Sequence, residues 1–203
     1  MNRYLVAATL SVLALVFLSH IHAETGVGET LLLQGAGGNT VQECISLSSQ
    51  FGGGNIQHRC AMLDELNQFR VRHGVRPLRV HPFLMKSAQW WSGVQAFHGE
   101  GGHPEAVNQR YLKNYRDPVK RQKAFCSNNQ NTGATPTSLG INSAARQEIY
   151  AWEQSSGHNE NQLNPGWQYF GSGLAQGPCS PELKRANNSP NAQCYYSTVD
   201  FGG

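Results

Sequence analysis

The stretch that most constrains this chain runs from Trp152 through Ser155-Ser156-Gly157-His158 to Asn164-Pro165, then on to Gly171-Ser172-Gly173-Leu174-Ala175. Upstream of it, Ala145, Ile149 and Trp152 recur at i, i+4 and i+7, which predicts an amphipathic helix. Asn142 or Ser143 offers a side-chain oxygen to cap its start. Gly157 allows a positive φ where that helix has to stop, which would place His158 on a sharp polar turn. Beyond the turn, Tyr169, Gly171, Gly173 and Ala175 alternate on one side of a predicted strand, and its glycines permit close approach of another backbone. Helix, histidine, glycine-bearing strand: any fold proposed for the chain has to accommodate that order.

The chain opens with Arg3 and an apolar run, Leu5 to Leu18, followed by the small residue Ala23. A run of fourteen residues, broken only by Thr9 and Ser11, is too short to span a bilayer comfortably, so residues 1–23 read as a secretory signal peptide rather than an anchor. No second apolar run follows, so no membrane span is expected after its removal. Losing Arg3 lowers the formal charge from +3 to +2. The densest basic cluster, Lys113 to Lys123, is interrupted by Asp117 and has no aromatic ladder, so it reads as a solvated helix face and not as a nucleic-acid surface.

Five cysteines in an exported chain should be oxidised where geometry allows, and an odd number leaves at least one unpaired within the molecule. Cys179 and Cys194 flank a polar loop between two strand-like segments and form the preferred bridge. A second pair among Cys44, Cys60 and Cys126 is left open. Residues 24–58 are glycine-rich and read as a leader with a short ordered piece near Cys44. The domain proper, 59–203, opens on a helix with Met62, Leu66 and Phe69 on one face and Gly74 after its last turn. A second helix from Pro82 carries Leu84, Ala88 and Trp91. Further helices are expected over Glu105–Leu112 and from Asp117 to Ala124, then a polar loop from Cys126 to Thr137. The last segment alternates Tyr195, Ser197, Val199 and Phe201 against Tyr196, Thr198 and Asp200, a strand. Asn187-Asn188-Ser189 is a glycosylation sequon in the loop between Cys179 and Cys194.

Trp-x-x-Ser-x-Gly-His-x-x-Asn-x-Leu followed by Gly-x-Gly-x-Ala resembles the core motif of the CAP superfamily, the secreted domain of cysteine-rich secretory proteins, insect antigen 5 and plant pathogenesis-related protein 1. The short form here is most similar to its bacterial and protist-like branch. The run Leu66 to Arg70 with Gly74 and Pro77-Leu78 is similar to the family's opening helix, and the final Phe201-Gly202 to the end of its last strand. The resemblance implies an α+β fold: a three-layer α–β–α sandwich with a mostly antiparallel central sheet. Counting along the family's pattern, its first motif histidine falls at His103, so His103 and His158 are expected to share a groove, where two neutral imidazoles could hold a divalent ion such as zinc. His98 and Glu100 lie in the same loop as weaker candidates.

Both acids that the family pairs with these histidines are missing at their motif positions. Gly133 to Leu139 contains no acid, and Ser155 stands where the second is expected. Glu148 and Glu153 lie nearby on the closing helix but off the motif. Two histidines alone supply half a ligand set and no general base. The reading is therefore a secreted, non-enzymatic binding module for a sterol, a fatty acid or an extracellular protein. The alternative is a zinc-dependent hydrolase or peptidase built on His103 and His158. Neither Ser155 nor Cys126 sits in a nucleophile elbow, so a covalent mechanism ranks last.

Overall fold

The computed structural model describes residues 40–51, 53–103 and 130–203. The expected targeting segment 1–23, residues 24–39 of the leader, the expected helices at 105–112 and from 117 to 124, the basic cluster and Cys126 lie outside the described residues. The described chain begins with two short helices, α1 (Val41–Ser46) and α2 (Ser48–Phe51), then α3 (Ile56–Arg72). Strand β1 (Arg79–Val80), helix α4 (Pro82–His98) and strand β2 (Gln130–Pro136) follow. The closing half contains α5 (Ile141–Glu153), α6 (Ser156–Leu163), β3 (Tyr169–Pro178), α7 (Pro181–Ala186) and β4 (Gln193–Gly202).

The four strands form one sheet in the order β1-β3-β4-β2. β3 and β2 both run antiparallel to β4, and only the two-residue β1 pairs parallel, with β3. The alternation expected of β4 divides its neighbours. Val199 and Phe201 join Phe170 in the main apolar cluster with Met62, Leu63, Leu66 and Phe69 of α3 and Ala145, Ile149 and Trp152 of α5. On the other face Tyr196 packs with Ala96 of α4, and the Thr198 hydroxyl accepts hydrogen bonds from Ser92 and Gln95. Helices thus cover both faces of a mixed, mostly antiparallel sheet, the expected α+β architecture.

Helix α4 lies on β3 almost backbone to backbone. A Cβ on Gly171 would stand 2.0 Å from the Leu84 carbonyl carbon, one on Gly173 2.1 Å from the Ala88 oxygen, and one on Gly177 2.1 Å from the Ala96 oxygen. Pro82 starts this helix, where a missing N–H costs nothing, and Gly99 ends it at φ 66° with its N–H on the Gln95 carbonyl.

Two arginines are fully buried in α3 and serve backbone carbonyls. Arg59 donates to Ser172 at 2.7 Å, Met85 at 2.7 Å and Gly53 at 2.5 Å, and its guanidinium stands 5.4 Å from the Phe51 ring centre. Arg70 donates to the carbonyls of Arg76, Gln162 and Asn164. Disulfides join Cys44 to Cys60 and Cys179 to Cys194. The first places Cys44 of α1 and, with it, Phe51 of α2 in the main cluster.

Three local expectations change. Helix α5 begins at Ile141 with Gly140 as its N-cap, so neither Asn142 nor Ser143 occupies the cap position, and the Ser143 hydroxyl donates back to the Leu139 and Gly140 carbonyls. Gly157 does not end α5, which stops at Glu153 with Gln154 as its right-handed C-cap; Gly157 has no positive φ and lies inside α6. Residues 130–136, expected as loop, form β2, because seven of them pair in register with Cys194 to Asp200.

Candidate functional site

His158 occupies the first turn of α6 rather than a loop, and several groups fix it there. The Asn131 amide of β2 donates to the His158 carbonyl at 3.0 Å. Asn161 donates to the Asn131 side-chain oxygen at 3.0 Å, and the Trp167 indole donates to Asn161 at 3.2 Å. The Trp152 indole N–H is anchored on the Thr132 carbonyl at 2.9 Å, and its ring centre lies 6.2 Å from that of His158. Asn161 is the asparagine of the His-x-x-Asn-x-Leu motif, whereas Asn131 carries no motif signal and is brought here only by the pairing of β2.

His103 arrives from the opposite side of the sheet. The loop before it is pinned at Gly102, whose N–H donates to Gln95 at 3.0 Å and whose carbonyl accepts from the Trp91 indole at 2.9 Å. The two imidazoles meet beside β2 with ring centres 5.8 Å apart and planes inclined by 41°. Burial lowers the His158 pKa, and the nearby His103 lowers it further, so the neutral, metal-competent imidazole is favoured there.

An imidazole nitrogen about 2.1 Å from zinc puts its ring centre about 3 Å from the ion, so two rings sharing one ion stand about 5–6 Å apart. The pair fits that spacing as two ligands. Among the described residues no third His, Cys, Asp or Glu joins them in a group able to hold a metal ion.

The weaker candidates lie apart. His98 ends α4 with its ring edge-on to Phe97, centres 5.0 Å apart. Glu100 bears on Tyr196, whose phenol donates to the Pro178 carbonyl and is pushed up to about 12 by burial, with Glu100 adding to the rise. Glu153 lines a separate hollow of about 310 Å³ between α3 and α5, beside the Arg146–Glu65 ion pair.

Glu148 is the unexpected group. It is 3 % exposed, on the same face of α5 as Ala145 and Trp152, and each carboxyl oxygen accepts a hydroxyl, Thr135 on one side and Ser197 on the other. Burial outweighs those hydrogen bonds and raises its pKa from 4.5 to about 7. Its protonated form is therefore favoured by folding. Between pH 4.5 and about 7 the unfolded chain has released this proton while the folded chain keeps it, so the contribution of Glu148 to stability falls as pH rises through that window. His158, lowered, works in the opposite direction, losing stability as pH falls below 6.5. The difference between wild type and Glu148→Gln isolates the carboxyl. In urea unfolding across pH 4 to 8 the wild type should lose up to about 3 kcal/mol relative to Glu148→Gln as pH rises. A difference that stays level with pH would refute this account.

The model of the CAP family, described as the cysteine-rich secretory protein family, matches residues 63–201, well over half of the chain. The chain belongs to this family. No curated protein matches it. The match spans the strands, both histidines and Trp152, and the two disulfides suit an oxidising, extracellular setting. Among the described residues no helix is long and apolar enough to cross a membrane.

Proposed function

We propose that this CAP-family chain is exported by residues 1–23 and acts outside the cell as a non-catalytic binding module, its leader spanning 24–58 and its CAP domain 59–203. The ligand is a sterol or fatty acid, or else an extracellular protein, and it is received in a groove containing His103 and His158. The observation that carries this reading is the state of Glu148. It is the buried acid of the helix leading to His158, and both of its oxygens are already engaged by Thr135 and Ser197. The imidazole pair stands beside an indole and two asparagine amides, and among the described residues no carboxylate joins it in a group able to hold a metal ion. Such a wall suits an apolar or amide-bearing ligand better than a hydrolytic water. Asn187, exposed just after α7, is the residue this reading assigns to glycosylation in a eukaryotic host.

Equilibrium titration of the purified mature chain with a fluorescent sterol and with palmitate tests the lipid form of the proposal. Saturable one-to-one binding, weakened at least about fivefold by His158→Ala (about 1 kcal/mol), is the expected result. No saturable binding of either probe would remove the lipid form. Stoichiometric zinc by elemental analysis, together with a peptidase activity lost in both His103→Ala and His158→Ala, would replace the whole reading with the hydrolase.

A further inference from the structure

At the other edge of the sheet, beside β1, lies a hollow of about 240 Å³ lined by Arg76, Pro77, Arg79, Gln168 and Tyr169. Its chemistry is one-sided. Two arginines, a tyrosine and a glutamine line it, and among the described residues no carboxylate does. Among the described residues Arg79 has no side-chain hydrogen bond or ion pair, while the ion pairs of the molecule engage Arg146 and Arg185 instead. Arg76 has only a long contact, 3.4 Å, to the Pro165 carbonyl. Guanidinium groups normally find carboxylates or carbonyls, as Arg59 and Arg70 do in this same molecule. Arg59 and Arg70 are buried and must be paired, whereas exposed Arg76 and half-buried Arg79 keep their N–H groups open to solvent or to a ligand at one hollow.

The hollow is also held in shape. Arg79 and Tyr169 are direct partners in the β1–β3 register, so their side chains project from the same face of the sheet. The Arg79 N–H donates to the Gln168 carbonyl at 3.0 Å, which fixes the two sides relative to each other. Beneath them, buried Arg70 donates to the Arg76 carbonyl at 2.9 Å and to Gln162 and Asn164, tying the Arg76 segment to the end of α6. The charges are felt across this cluster: burial lowers the Arg70 pKa to about 10, and the Arg76 charge adds to that fall.

We propose that this hollow is a binding site for a phosphate dianion, free or as the head of a small soluble phosphomonoester. A guanidinium presents its N–H groups in a fork that matches phosphate or carboxylate oxygens two at a time. Two such forks carry two positive charges, which balance a phosphate of nearly two negative charges at pH 7 and over-compensate a carboxylate of one. The volume accommodates a phosphate head and a few further atoms, and is below the roughly 300–1,000 Å³ of sites that enclose larger ligands. Tyr169 and Gln168 supply a hydroxyl and an amide for the remaining oxygens. The site lies at the β1 edge, whereas the histidine pair lies at the β2 edge, so neither assignment depends on the other.

The test is a titration of the mature chain, followed by backbone NMR, with inorganic phosphate, glycerol phosphate and acetate at matched ionic strength. Phosphate is expected to shift the signals of Arg76, Arg79, Gln168 and Tyr169 together and to saturate, with acetate at least about fivefold weaker. Arg79→Gln and Arg76→Gln should each weaken phosphate binding about tenfold, and Arg79→Lys, which keeps the charge and loses the fork, by an intermediate factor. Both arginines are at the surface or half-buried, and an unchanged melting temperature confirms that each variant is folded. Glycerol phosphate binding as well as inorganic phosphate marks a phosphomonoester site, and inorganic phosphate alone marks a free-phosphate site; either supports the proposal. Shifts scattered over all surface cations, equal binding of acetate, or variants that bind as the wild type does would overturn it.

Discussion

Replacing Gly173 with alanine is expected to destabilise the protein by about 3 kcal/mol or more, close to the upper end of what overpacking normally costs. The new methyl would stand 2.1 Å from the Ala88 carbonyl oxygen and 2.4 Å from the Gln89 nitrogen, both main-chain atoms of α4. A flexible side chain could swing aside; a helix backbone cannot. Helix α4 would have to lift away from β3, loosening the hydrogen bonds of Ser92 and Gln95 to Thr198 and the Gln89–Leu174 pair, which reach from helix to sheet. Gly157→Ala is the matched control, since nothing lies within 4 Å of a Cβ there and its φ is ordinary. It should be neutral or slightly stabilising, because alanine is the better helix former. Chemical denaturation of the two variants decides the matter. Equal midpoints would mean that the α4–β3 seam adapts.

Arg59→Ala is expected to cost about 3–5 kcal/mol. The side chain is completely enclosed, and its removal leaves the carbonyls of Ser172, Met85 and Gly53 without that donor while opening space beneath Phe51. These carbonyls belong to β3, α4 and the turn before α3, so one guanidinium ties three segments together. Burial lowers its pKa to about 10, which still leaves it charged at neutral pH. Arg59→Lys should recover only a minority of the loss, because an ammonium cannot reach three carbonyl acceptors arranged around a planar guanidinium fork. Urea unfolding midpoints at constant slope measure both, and a loss below about 1 kcal/mol for Arg59→Ala would contradict the role given to it.

The parts of the fold that could be read from sequence were those with a strict period. Tyr196 and Thr198 against Ser197 and Val199 gave β4 its two faces, and Gly171 with Gly173 announced a close backbone approach, which proves to be α4. Strand β2 was illegible because Gln130 to Pro136 has the composition of a loop; it is a strand only because β4, more than fifty residues later, supplies its partners. Helix α6 was illegible for a related reason. Its residues carry almost no apolar period, and it is held by Arg70, Asn131 and Trp167, each from elsewhere in the chain. The histidine pair was found through motif spacing. Glu148 lay on the buried face with Ala145 and Trp152, and Arg59 with Leu63 and Leu66; counting charged residues into the helical period would have placed both inside.

The connection between β3 and β4 has a practical side. The Cys179–Cys194 bridge and the Pro178–Gln193 register close it at its base, so everything from Ser180 to Ala192, α7 included, hangs from a clamped pair of ends. Lengthening such a closed excursion adds entropy only as the logarithm of its length. It is the natural handle of this molecule, where an affinity peptide, a fluorophore or a glycan could be attached without the sheet or its histidines having to readjust.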